Sequence, residues 1–396
     1  MKEKNYITSI ECESVSPLST EPLERKGIFS SILTFAKSQI VLTIATIAML
    51  ITCFFIPIDR NYLTYFNWRT LATLFCTLAV VSAFSHIHVF EIISKAIVMK
   101  LHNLRNATLG LVFITFFGSL LLANDMALLT FLPLGFFVLN STNNKQAMAF
   151  TFIMQNIAAN LGGMVTPFGN PQNLYLYSYF QINTMEFVKI MFPSFFTALI
   201  LILICCLSVK PIPLTLKSEE NYILNKKKTL IYSILFIASL LIVFRIIPYV
   251  WGTAVITILL LFLDKKAVRE VNYPLLATFC MFFVFSGNMA RIPAVSALFE
   301  RILPSNTLLF GILSCQFISN VPSAVLLSHF TNHYQKLLPA VNIGGCGTLI
   351  ASLASLITFS EFKKHNPRAA KSYVFLFSAI NFSFVILLYL LQTMIA

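Results

Sequence analysis

Two strings, NLGGMVTPFGNPQN at 160–173 and NIGGCGTLIASLAS at 342–355, align without a gap and share the pairs Asn160/Asn342, Gly162/Gly344, Gly163/Gly345 and Thr166/Thr348. Each string interrupts an apolar stretch long enough to cross a bilayer, at 145–180 and 336–360. Glycine and proline at membrane depth free backbone groups that lipid cannot satisfy, so both breaks must face protein or a wet cavity. A soluble fold is excluded, because 57% of the residues are hydrophobic and only 11% are charged, against about 25% charged in a soluble domain.

The rest of the chain is organised around these breaks. Further spanning segments are expected at 37–57, 67–90, 187–209, 229–247, 250–263, 272–288 and 372–395. Residues 106–139 would make a straight helix of about 51 Å, too long for the bilayer, with Asn124 and Asp125 in the middle. The segment must fold back there as a hairpin. Its counterpart at 305–330 carries Ser319-Asn320-Val321-Pro322 in the middle, so that Ser319 and Asn320 mirror Asn124 and Asp125. Upstream, NWRTLAT at 67–73 matches NYPLLAT at 272–278. Each half therefore reads as a spanning helix, an amphipathic stretch, a hairpin, a broken helix and a second spanning helix.

The fold expected is an all-α polytopic membrane protein with two inverted repeats, each holding a re-entrant hairpin and a broken transmembrane helix. Its parts are a cytoplasmic N-terminal tail at 1–36, a first repeat at 37–209, a basic cytoplasmic loop at 210–228 and a second repeat at 229–396. An odd number of crossings separates equivalent helices, which inverts the halves. With the N-terminus inside, 21 of the 28 Lys and Arg face the cytoplasm, as the positive-inside rule requires. Nine crossings and an external C-terminus follow, and the two breaks should meet at mid-membrane depth with Thr166 and Thr348 as near neighbours.

Other readings of the composition are weaker. The net charge of +13 lies in short loops between apolar runs, which sets topology and does not indicate a nucleic-acid partner. The eight cysteines show no metal or disulfide spacing, and no metal is expected. His86 and His88, two apart, diverge on a helix and make no metal pair. The first apolar run follows acidic residues, unlike a cleavable signal. No HExxH or GxSxG motif is present and the one deep acid has no partner, so an enzyme is not expected.

Asp125 is the one acid with long apolar sequence on both sides, because Asp59 and Asp264 lie in loops. A charge at bilayer depth costs at least about 2.5–3.5 kcal/mol and is usually functional. Such a carboxyl exchanges a proton, ligates a sodium ion near Asn124 and Asp125, or merely caps the second hairpin helix. At the breaks, half-helix ends present N–H groups and carbonyls, and Thr166, Asn170, Gln172, Asn173, Thr348, Ser352 and Ser355 add side-chain donors and acceptors. Paired breaks are the sequence pointer to a transporter site. No Lys or Arg lies in either tip or break, so a bound anion would rest on helix ends and neutral donors.

LLANDMALLTFLPL (121–134), TPFGNPQN (166–173), SNVPSAVLL (319–327) and GGCGTLIASLASLI (344–357) resemble the ion-transporter superfamily. They are most similar to its arsenite-permease, NhaD antiporter and citrate-transporter-like groups. The resemblance implies an elevator-type carrier of the bacterial inner membrane, often a homodimer, with solute and coupling ion held between the hairpin tips and the breaks. It implies site residues Asn124, Asp125, Thr166, Gly169, Asn170, Asn173, Ser319, Asn320, Gly345, Thr348 and Ser352. The chain departs from the family at Cys346 and Ser355, where Asn is common. Its tips read Asn-Asp-Met and Ser-Asn-Val, where sodium-linked dicarboxylate members carry Ser-Asn-Thr.

The expected function is secondary active transport of a small anionic solute, coupled to protons or sodium, without a cofactor. A cation/proton antiporter of the same fold is the nearest alternative. An ion channel is the rival from another class, and it would need a ring of carbonyls or charges from several subunits.

Overall fold

A computed structural model of the chain describes residues 39–89, 92, 102–214 and 224–395. The expected tail at 1–36 and part of the basic loop at 210–228 lie outside the described residues. Among these, regular structure is helical throughout, save one isolated bridge between Asn103 and Pro213. Helical stretches at Trp68–His86, Lys145–Val165, Thr184–Leu207, Lys265–Arg291 and Pro367–Ile395 are long and apolar enough to cross a membrane. The fold is that of an all-α polytopic membrane protein. Phe54, Trp251, Phe262 and Phe375 are between 72% and 89% exposed, a lipid-facing pattern that water would not tolerate over so many helices.

The element order repeats. In the first half, α1 (Ile40–Phe55) and α2 (Trp68–His86) precede a hairpin of α3 (Leu104–Gly118) and α4 (Asn124–Ser141). A broken helix follows, α5 (Met148–Gly162) and α6 (Pro171–Tyr179), and then α7 (Thr184–Leu207). Helices α8 (Lys226–Val243), α9 (Tyr249–Leu263) and the short α10 (Lys265–Arg269) connect the halves. In the second half, α11 (Tyr273–Arg291) and α12 (Pro293–Ile302) precede the hairpin α13 (Thr307–Ile318) and α14 (Asn320–Leu327). The broken helix α15 (Tyr334–Ile343) and α16 (Leu353–His365) and the final α17 (Ala370–Ile395) complete it.

Equivalent asparagines start equivalent helices. Asn67 caps α2 by accepting from the Thr70 N–H, and Asn272 caps α11 by accepting from Leu275. Asn103 and Asn306 cap the first arms of the two hairpins in the same way. An amide oxygen there satisfies one of the orphan donors at the helix start.

Packing crosses between the halves. Each hairpin lies on the first piece of its own broken helix: α3 and α4 on α5, and α13 and α14 on α15. The second piece of each broken helix packs on the opposite hairpin, α6 on α14 and α16 on α4. Glycine permits the closest approach. A Cβ at Gly162 would fall on the Phe116 carbonyl oxygen, so α5 could not sit against α3 with any other residue. Charged pairs gather at the ends of the helices. Arg291 holds Asp59 at 2.7 Å, while His86 bridges Asp264 and Glu270 at 2.8 and 2.6 Å. His86 thus serves as a link between α2 and the α9–α11 connection.

Candidate functional site

Both hairpins turn where the sequence places polar residues in apolar runs. The first breaks over Ser119–Ala123 and restarts at Asn124; the second breaks at Ser319 alone, which takes φ 74°. The structure changes one register. Asn124 Oδ1 accepts from the N–H of Asp125, and Asn320 Oδ1 accepts from the N–H of Val321. Asn124 is therefore the counterpart of Asn320, and Asp125 stands opposite Val321. The expected match of Asn124 with Ser319 is off by one, because helix start and not letter similarity sets the equivalence. The acid belongs to one half only.

Asp125 does not cap its helix. Asn124 supplies the bond to the helix start. Asp125 is 5% exposed, and its Oδ1 finds no donor among the described residues. Asn124 in turn donates to Asn160 Oδ1 at 3.0 Å, tying the first hairpin tip to the first break.

The breaks meet through buried amides. Asn160 donates to Ser352 Oγ at 3.1 Å, and Ser352 caps α16 by accepting from the N–H of Ser355. From the other side, Asn170 and Gln172 donate to Asn342 Oδ1 at 3.1 and 3.2 Å, and Asn342 donates to Asn173 Oδ1 at 2.6 Å. Residues 170 and 352 each precede the second piece of a broken helix. The asparagine ending one break's first arm thus reaches the residue that starts the other break's second piece, in both directions. Thr166 and Thr348 take no part in this crossing. Thr166 donates to the Leu120 carbonyl and Thr348 to the Gln316 carbonyl, each on its own hairpin.

One cavity opens beside this network. It holds about 30 Å³ and is lined by Asn124, Asp125, Pro171, Ser319, Asn320, Val321, Pro322 and Leu353, with Leu275, Thr278, Phe279 and Phe282 of α11 as its wall. The first residues of α4, α6, α14 and α16 all lie on it. Four helix N-termini with their positive dipole ends therefore converge on a space with no Lys or Arg in its lining among the described residues. Asn320 is 2% exposed and its Nδ2 finds no acceptor among the described residues.

Of the residues expected at the site, Asn124, Asp125, Ser319 and Asn320 line the cavity. Asn170, Asn173 and Ser352 belong to the amide network behind it. Gly345 lies beside Asn320, since a Cβ there would stand 2.9 Å from Asn320 Nδ2. Gly169 closes the turn of the first break, its N–H donating to the Thr166 carbonyl. The α11 wall and Gln316 were not anticipated. An amide in the last turn of α13, within an apolar run, was the available signal for Gln316.

Comparison with known proteins gives a consistent result. A family model described as citrate transporter matches residues 31–336. An uncharacterized transporter of Methanocaldococcus jannaschii is 32% identical over 293 residues, 74% of this chain and 80% of the relative. The inner membrane protein YbiR of Escherichia coli is 26% identical over 315 residues, 77% of this chain and 82% of the relative.

Proposed function

The chain belongs to the citrate transporter family, and from that premise we propose that it carries a small anion through the cavity between its hairpin tips and breaks, coupled to protons or sodium. It is a multi-pass membrane transporter of the secondary type and not an enzyme. The observation that carries the anion reading is the meeting of four helix N-termini at Asn124, Pro171, Asn320 and Leu353. Such ends favour negative charge and offer N–H groups, in a transporter as in soluble phosphate sites. Asn320 Nδ2 is a donor held ready for the solute.

Asp125 then has a defined role. Ionised, it repels an anion from the cavity; protonated or paired with a cation, it admits one. Solute and coupling ion would load together, which is what symport demands. Alternating access would be of the elevator type: hairpins and broken helices move as a unit against α11 and the other spanning helices, and the two halves are inverted relative to each other. The site residues inferred from the resemblance are the proposed binding set, with Gln172 and the α11 wall added. We place the protein in the plasma membrane, in bacteria the inner one, as a homodimer, with the N-terminus cytoplasmic and the C-terminus external.

A second reading is favoured by the same acid. Among the described residues Asp125 is the only charged side chain lining the cavity, as a cation/proton antiporter would require. Reconstitution decides between them. Purified protein in proteoliposomes is given a pH or sodium step and a panel of radiolabelled oxyanions and mono-, di- and tricarboxylates. Accumulation of an anion that Asp125→Asn abolishes supports the proposal. Sodium or lithium flux driven by pH, with no anion taken up, would replace it with the antiporter.

A further inference from the structure

Each break exposes backbone carbonyls that its helix no longer uses, and in each half one side-chain amide nitrogen sits among three carbonyls: all three from the break in the first half, and in the second two from the break with Ile312 of α13 as the third. Asn173 Nδ2 lies 3.4, 3.0 and 3.2 Å from the carbonyl oxygens of Gly163, Met164 and Thr166. Gln316 Nε2 lies 3.2, 3.0 and 3.0 Å from those of Ile312, Gly344 and Cys346. A primary amide has two hydrogens, so three converging carbonyls exceed what it can satisfy. Clusters of unwound carbonyls are what coordinate alkali cations in membrane transporters and channels.

The orientation of both amides is fixed by their other ends. Asn173 Oδ1 accepts from Asn342 Nδ2, and Gln316 Oε1 accepts from the backbone N–H of Thr348 at 2.9 Å. Flipping either would set a carbonyl against three carbonyls. Gly347 protects the second arrangement, because at φ 116° its absent Cβ would fall on Gln316 Oε1. The two amides are not equivalent residues. The registers set by Asn124/Asn320 and Asn160/Asn342 place Leu120 opposite Gln316 and Ser355 opposite Asn173. Two different positions, one on a hairpin and one on a broken helix, have arrived at the same task in the two halves.

Building on the transport site proposed above, we propose that Asn173 and Gln316 are tethered stand-ins for coupling cations, so that this carrier works with no alkali cation in either break. The amide nitrogen carries the partial positive charge that the carbonyls need, and it cannot leave with the solute. The proton is then left as the coupling ion. Removing an amide without filling its space should open a cation site.

The test is thermal unfolding of the purified full-length protein in NaCl, KCl, LiCl or choline chloride at equal ionic strength, with no solute present. The wild-type melting temperature should be the same in all four. Gln316→Ala and Asn173→Ala should each lower it in choline and recover about 2–4 °C, saturably, in one alkali chloride. Gln316→Leu, which fills the space, should fall without recovery. A saturable response of the wild type to an alkali cation overturns the proposal. So do folded alanine variants that ignore every cation. If the alanine variants do not fold, the wild-type comparison still decides. Because no solute enters the measurement, its failure is separable from failure of the anion-transport reading.

Discussion

Asn124 and Asp125 are neighbours with opposite kinds of work, and substitution should separate them. Asn124 accepts from the helix start and donates to Asn160 while 3% exposed. Asn124→Ala leaves two buried groups unpaired and should cost about 1–3 kcal/mol. Asp125 makes no such bond, so Asp125→Asn should leave thermal stability within about 1 kcal/mol, the worth of a carboxylate in the first turn. The same variant should lose accumulation driven by a pH step while retaining exchange of labelled solute across vesicles without a gradient. An Asp125→Asn protein that is much less stable, or that still accumulates solute, would return the residue to a structural role. The sequence singled out the acid, because no other lies between long apolar runs, and the structure places it on the cavity. It left the cap alternative open because the bond that closes it is made by the residue before.

Helices, hairpins and breaks were the legible part of this chain, for a physical reason. A bilayer is about 30 Å thick, so an overlong apolar run with polar residues in its middle has to turn, and glycine with proline has to interrupt. In the structure, capping asparagines set the helix starts, and these give a test at this scale. Asn67→Ala and Asn272→Ala should each cost about 1 kcal/mol, read by thermal unfolding in detergent, because each loses its capping bond, and Asn67 gives up only a long 3.5 Å bond from Ser178 Oγ besides. A loss confined to one variant would show that the two halves start their helices by different means. What could not be read was which residues pair between elements. Letter similarity put Asp125 opposite Asn320, whereas the helix starts put it opposite Val321. Thr166 and Thr348, expected to meet, turn to their own hairpins because the Leu120 and Gln316 carbonyls there need donors. The contacts that join the breaks link residues about 170 to 190 positions apart, and no periodicity encodes them.

For the whole molecule, two expectations remain open to measurement. Reporter fusions at Lys226 and Ala396 should report opposite sides of the membrane, because 21 of 28 basic residues then face the cytoplasm; the same side would end the nine-crossing topology. The elevator itself makes a sharper demand. The cavity is lined by Thr278 and Phe279 of α11 and by Val321 of the second hairpin, which an elevator would place on its fixed and its moving side respectively. Helices α11 and α14 pack against each other, so a short thiol cross-linker should bridge Thr278→Cys and Val321→Cys after the native cysteines are replaced. If the hairpins carry the solute past α11, the cross-link must stop net transport. A reducible linker must restore it, and solute should still stabilise the locked protein through the binding groups of the hairpin and breaks. A fixed pore behaves differently, since joining two of its wall residues leaves the conducting path in place. Transport that continues through the cross-linked protein at the uncross-linked rate would therefore exclude the elevator and leave the channel reading standing.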